Sequence, residues 1–227
     1  MSRTVLRGAG GEIPPVYSPL PGDSHCGDIL PTVPDNGYLQ SRKIVGWEIH
    51  ENETADHAAL LIRKACLAEG ISMQDLVLHS DNGSPMKGAT MLAMLQRLGI
   101  VPSFSRPSVS NDNPYSESLF GTMKYTPAYP SKPFERLAAA REWVDEFVHW
   151  YNEEHRHSGI QFVTPAQRHS GAEKLILMNR KVVYESAKQR NPERWNRETR
   201  NWEPVSEVWL NPEKSETEEQ EVREKVA

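Results

Sequence analysis

Cysteine is scarce in this chain, with only Cys26 and Cys66 among 227 residues. Neither has the spacing to a histidine cluster that a zinc site needs, and two thiols make no disulfide framework. Reduced thiols in a cytosolic protein are therefore expected. Long apolar runs are also missing: none exceeds a handful of residues, against roughly 20 for a spanning helix, so neither a membrane span nor a secretory leader is expected. There is no internal repeat. Positive charge is not in excess either. The net charge of −5 argues against uniform coating of an acidic polymer, although it leaves room for a local basic groove.

The 37% hydrophobic content suffices for one core of about 100 to 150 residues with extensions. Residues 1–40 are rich in glycine and proline (RGAGGEIPPVYSPLPGD, LPTVPDNG) and follow neither a two-residue nor a 3.6-residue apolar period, so irregular chain is expected there. Residues 41–170 carry the regular patterns. From Arg168 to Arg200 nine Lys/Arg face four Asp/Glu, with Tyr184 and Trp195 interspersed and Trp202 just beyond. Residues 171–211 thus read as a basic extension suited to a nucleic-acid backbone, or equally as a solvated helical one. Residues 212–227 read as an acidic, disordered tail.

Within the core, Val45, Trp47 and Ile49 alternate as in a strand. Thr54 is a candidate N-cap for a helix carrying Ala58, Leu61, Ile62 and Ala65, which Gly70 ends. Leu76-Val77-Leu78 reads as a buried strand, followed by a helix bearing Met91, Leu95 and Leu98 and closed by Gly99. A strand is then expected over Val101–Ser105. A helix starting near Asn113-Pro114 shows a stripe of Tyr115, Leu119 and Met123, and a long helix is expected over Ser131–His155 with Arg141 outward. The alternation predicts a mixed α/β sheet flanked by helices.

Two acids stand out. Asp81 follows the Leu76–Leu78 strand directly before the Asn82-Gly83 turn. Glu117 lies 36 positions later (117 − 81), on the helix and off its apolar stripe. Lys124 projects within roughly 20° of Glu117 and about 10.5 Å further along the helix. One helix face therefore offers a carboxylate and an ammonium. His155-Arg156-His157 suggests metal ligands at first sight, but adjacent residues at a helix end diverge and no second pair has suitable spacing.

An acid at a strand end and a second on a later helix resemble the second and third acids of the retroviral-integrase-like superfamily, whose triad is two aspartates and a glutamate. The wording is closer still. SRKIVGWEI, LVLHSDNGSPMKG, PSFSRPSVSNDNPYSESLF and WYNEEHRHSGIQFVTPAQRH resemble the integrase-core half of DDE-type transposases from bacterial insertion sequences, over about residues 41–170.

The resemblance implies a ribonuclease-H-like fold and DNA cleavage and strand transfer with two Mg²⁺ (or Mn²⁺) ions. Asp81 and Glu117 would each hold one ion, and an earlier aspartate would bridge both. It implies DNA as partner, a homo-oligomer assembled on it, no small-molecule cofactor, and a cytoplasmic, nucleoid-associated protein. Lys124 would touch DNA phosphate; from the residues themselves, Arg190, Arg194 and Arg197 join it as basic candidates. Asn152 and His157 match the family's closing motif, and Thr164-Pro165-Ala166 begins its next short helix.

The first acid is the weak point. Gly27-Asp28-Ile29-Leu30-Pro31-Thr32 resembles the family's Asp-bearing segment, but only twelve residues separate Asp28 from Ser41, too few for the two strands the family places there. A truncated or frameshifted gene would give this pattern. It would leave the Val45–Ile49 strand without a neighbour and the chain without strand transfer. The expectation is therefore either a metal-dependent transposase with Asp28, Asp81 and Glu117, or a catalytically dead remnant that only binds DNA or an intact transposase subunit. A host nuclease on the same fold is the weaker third reading.

Overall fold

The computed structural model describes residues 41–52, 54–70, 76–80, 83–106 and 114–205, together with the backbone of 26–30. Strand β1 (Cys26–Leu30) pairs antiparallel with β2 (Gly46–His50), with Asp28 opposite Glu48. This corrects the expectation of wholly irregular chain before Ser41, and β2 has the neighbour it was expected to lack. Five residues containing Gly27 and Asp28 are too short and too polar to show an alternating period. Their strand character comes from the partner.

Helix α1 (Ala55–Ala68) begins where Thr54 accepts the His57 amide N–H at 3.2 Å. It buries Ala58, Ala59, Leu61, Ile62, Ala65 and Cys66, and burial pushes the Cys66 thiol pKa up. Strand β3 (Val77–Ser80) runs parallel to β4 (Val101–Phe104), in register from Val77 opposite Val101. Between them lies α2 (Ala89–Arg97), stopped by Gly99 at φ +66°, a left-handed conformation that costs glycine little. Gly88, just before α2, has a different reason to be glycine. A Cβ there would stand 2.7 Å from that of Ala55, so the starts of α1 and α2 approach only without one.

Helix α3 (Pro114–Tyr125) buries Ser116, Leu119, Phe120 and Met123. The buried stripe is thus turned from the expected Tyr115, Leu119 and Met123, leaving Tyr115 half-buried. Helix α4 (Leu137–Glu153) starts six residues later than Ser131, because Pro133 disfavours helical backbone at Lys132 and Arg136 is still extended at φ −153°. Its inward residues Ala140, Val144, Phe147 and Tyr151 close one apolar cluster that reaches back to Ile44 and includes Leu78, Met91 and Leu95. Arg141 does not simply face water, since its guanidinium donates to the Ile49 carbonyl at 2.7 and 3.1 Å and ties α4 to β2. The expected α/β architecture is present, with antiparallel and parallel strand pairs flanked by helices.

A second, smaller cluster follows. Thr164 and Gln167 form a reciprocal capping box that starts α5 (Pro165–His169), after which α6 (Glu173–Arg190) extends for 18 residues. The strip from Trp195 to Val205 folds back along α6. Trp202 is buried with Ile160, Val163 and Leu177. Among the described residues no helix is long and apolar enough to cross a membrane.

Candidate functional site

Two of the proposed acids sit on described elements, Asp28 on β1 and Glu117 on α3. Asp28 is central in β1, where only the backbone is described. Asp81 lies outside the described residues; Ser80 before it ends β3 and is buried. The expected convergence of Asp81 and Glu117 therefore also lies outside them. Glu117 is exposed in the first turn of α3, and Lys124 is half-buried in its last turn, with its ammonium 5.7 Å from the Tyr125 ring centroid. Among the described residues no group of three or more His, Cys, Asp or Glu side chains could hold a metal ion. Of the three acids Glu117 alone has a described side chain.

Elsewhere in the core the chain is tied by polar contacts between distant segments. The Asn152 amide clamps one residue, accepting the Ile44 N–H and donating to the Ile44 carbonyl, both at 2.9 Å. It thereby satisfies two backbone groups that burial would otherwise leave costly. Glu69 at the end of α1 receives Lys43 at 2.8 Å and His169 at 2.9 Å. His79 bridges the parallel ladder to Ser103 at 3.0 Å and Ser105 at 3.4 Å. Burial alone would raise the Glu48 pKa, but hydrogen bonds from Lys64 and His50 outweigh it and hold the carboxyl below its usual range.

Sequence reading missed Arg42. Its backbone takes φ +64°, uncommon for a residue with a Cβ. The guanidinium lies 3.8 Å over the Tyr115 ring centroid, and its buried Nε has no hydrogen-bond partner among the described residues. Burial lowers its pKa, against the favourable influence of Tyr115 and Tyr151. Arg42 thus grips the first turn of α3 two residues before Glu117, from a different side of the helix. The sequence offers no signal for this, since Arg in SRKIVGWEI looks like any surface cation.

The closing motif acts as local structure. His157 Nδ1 accepts the Gly159 N–H at 3.0 Å, and burial, with Arg42 and His155 nearby, lowers its pKa to about 4. Both ring neighbours are thereby set: His155 stacks on Tyr151 with centroids 5.5 Å apart and meets His157 edge-on at 5.8 Å.

The basic extension divides in two. Arg180 donates to the Gln161 and Phe162 carbonyls and lies 5.5 Å from the Trp202 ring; Arg200 lies between Phe162 at 4.6 Å and Trp202 at 5.4 Å. Lys181 pairs with Glu203 and Lys188 with Glu198. These cations hold the folded-back strip. Arg190, Arg194 and Arg197 are exposed, and make no ion pair among the described residues.

Two models described as integrase core domain match the chain, one over residues 38–110 and one over 98–165. Asp81, Glu117 and Lys124 fall within these spans, whereas Asp28 and the three exposed arginines do not. The transposase for insertion sequence element IS904 of Lactococcus lactis is 29% identical over 126 residues, covering 55% of this chain and 49% of that protein. A putative transposase for IS986/IS6110 of Mycobacterium tuberculosis is 30% identical over 118 residues, covering 48% and 42%. The solved catalytic core domain of BIV integrase is similar at 21% identity and a TM-score of 0.42, covering 61% of this chain and 85% of that one. The chain spans about half the length of the curated relatives it matches. With contiguous integrase-core matches from residue 38 to 165 and transposases as relatives, the chain belongs to the integrase-core transposases.

Proposed function

We propose that this chain supplies the integrase core of a DNA transposase, cutting and joining phosphodiesters with Asp28, Asp81 and Glu117 as metal-binding acids. The observation that carries the reading is the integrase-core match across both Asp81 and Glu117, with Glu117 exposed on α3. Carboxylate oxygens suit Mg²⁺ or Mn²⁺. A bound pair of such ions would activate the attacking oxygen and stabilise the leaving one. The chain's own contribution is to present the acids on rigid elements: β1 is paired to β2, and α3 is gripped by Arg42. Lys124 and the exposed Arg190, Arg194 and Arg197 would neutralise backbone phosphates. The protein would act as a homo-oligomer on DNA in the cytoplasm.

A second reading is a chain that binds DNA, or an intact transposase subunit, without cutting. The direct pairing of β1 with β2 favours it, because the family places a further strand between those two. One experiment separates them. Purified protein is incubated with element-end DNA and Mg²⁺ or Mn²⁺, beside Asp28→Asn, Asp81→Asn and Glu117→Gln. Cleavage or joining by the unaltered chain and loss in each variant is the expected outcome for the transposase. Binding without cleavage by the unaltered chain assigns the second reading, and cleavage that survives Asp81→Asn sinks the metal site.

A further inference from the structure

The end of α6 carries a feature that backbone neutralisation does not use. A hollow of about 200 Å³ opens there, lined by Ala187, Asn191, Arg194 and Trp195. It is smaller than the roughly 300 to 1,000 Å³ of sites that engulf a drug-sized ligand, so it suits one flat group entering from its open side. Trp195 forms one wall and is braced from behind, with the Tyr184 ring edge-on to it at a centroid distance of 6.0 Å. Tyr184 in turn meets buried Trp202 at 5.1 Å, which anchors the indole to the second cluster.

The charge around the hollow selects the ligand. Arg190, Arg194 and Arg197 are exposed; Arg190 uses its Nε on the Ser186 carbonyl at 3.2 Å, leaving the end of its guanidinium outward. Glu193 is the opposing exposed acid beside them, while Glu198 is taken by Lys188. A braced indole within a net positive rim is the arrangement that binds single-stranded nucleic acid, where stacking accepts any base and arginines follow the backbone. We propose that this hollow receives one unpaired nucleobase of the DNA, stacked on Trp195, with flanking phosphates held by Arg190, Arg194 and Arg197. The inference rests on the reading that the basic extension binds DNA and names what it binds: strand ends or gaps rather than continuous duplex.

The test is fluorescence anisotropy with the full chain and three labelled DNAs of one sequence: a blunt duplex, the same duplex with a short unpaired thymidine overhang, and one whose overhang is abasic. The unaltered chain is expected to favour the thymidine overhang by about tenfold, within the range found for base–aromatic stacking, and to lose that preference with the abasic overhang. Trp195→Leu should abolish the preference while blunt-duplex binding stays, and Trp195→Phe should keep part of it. Ala187→Leu fills the hollow while leaving the indole in the chain and should act like Trp195→Leu, which guards against misfolding of a single variant. Blunt-duplex binding with no base-dependent preference, or a preference that survives Trp195→Leu, overturns this proposal alone. Absence of binding to all three DNAs overturns it together with the DNA reading of the extension.

Discussion

The two apolar clusters of this chain are held together differently. The larger one, from Ile44 to Tyr151, fills the space between strands and helices with nearly inaccessible side chains, and polar groups serve mainly to fix backbone at its edge, as Asn152 does for Ile44. The smaller one buries only Ile160, Val163, Leu177 and Trp202, and is closed by Arg180 and Arg200 against aromatic rings. The difference teaches that a basic segment is not all ligand surface. About half of its cations hold the segment down, and Arg190, Arg194 and Arg197 are exposed without an ion pair among the described residues.

Truncation should separate the two clusters most sharply. Leu95→Ala, at a site 1% exposed, should cost about 2 to 5 kcal/mol and lower the midpoint of the whole unfolding transition. Trp202→Ala should instead release the strip from Trp195 to Val205 locally, with a smaller loss in the global transition than Leu95→Ala. Thermal unfolding together with hydrogen exchange over 195–205 reads both. Equal global losses would show the clusters to be one cooperative unit.

A polar edge of the large cluster comes next. Asn152→Leu keeps the branched shape, though with more bulk, and strands the Ile44 N–H and carbonyl, each at about 1 to 3 kcal/mol for an unsatisfied buried group. Asn152→Asp can still accept the N–H, but its ionised carboxylate sets an oxygen with nothing to donate against the buried Ile44 carbonyl. It should therefore also destabilise at neutral pH and recover part of the loss on acidification, when a protonated oxygen can donate. Urea unfolding of both variants at neutral and acid pH measures this, and an Asn152→Asp midpoint that gains nothing on Asn152→Leu as the pH falls would deny that the clamp is a two-point hydrogen bond.

What could be read in the sequence was local. Thr54, Gly70 and Gly99 announce helix ends through contacts within a few residues, and the structure places helix boundaries beside each; the start of α5 at Thr164 is instead implied by the family resemblance. Pro133 was an equally local signal, and it overrode the apolar period that suggested an earlier start for α4. The misses were non-local. β1 has strand character only beside β2, Arg42 gains its role from Tyr115, 73 positions away (115 − 42), and the strip after Trp195 is fixed by Trp202 reaching Ile160 and Leu177. For the candidate site, the motif identified α3 as the carrier of Glu117, but nothing in the chain order could reveal that Arg42 would brace it.

That brace gives a smaller expected effect. A cation over an aromatic face contributes from about 0.5 kcal/mol when exposed to about 2 kcal/mol when desolvated, so Tyr115→Leu should cost about 1 to 2 kcal/mol, and Tyr115→Phe, which keeps the ring, should cost less than Tyr115→Leu. Hydrogen exchange in the first turn of α3 should quicken in Tyr115→Leu and in Arg42→Gln, and remain slow in Tyr115→Phe. Uniform exchange across the three variants would remove Arg42 from any part in placing Glu117.

The smallest effect at neutral pH belongs to His157. Its pKa is lowered to about 4 in the fold, chiefly by burial and then by Arg42 and His155, against about 6.5 when unfolded. Between these values the unfolded chain binds a proton that the folded chain refuses, so stability must fall as pH decreases through the window from about 6.5 to about 4. Above it the contribution is fully present, because the ring is neutral in both states. His157→Asn retains an oxygen able to accept the Gly159 N–H and cannot titrate. It should unfold within about 1 kcal/mol of the unaltered chain at pH 7.5, where only a cap-like hydrogen bond is exchanged for another. The two should then diverge on acidification, the unaltered protein losing midpoint temperature faster between pH 6.5 and 4. Parallel pH profiles would mean that the ring accepts its proton inside the fold without penalty, and the packing of His157 against Arg42 would have to be looser than its geometry implies.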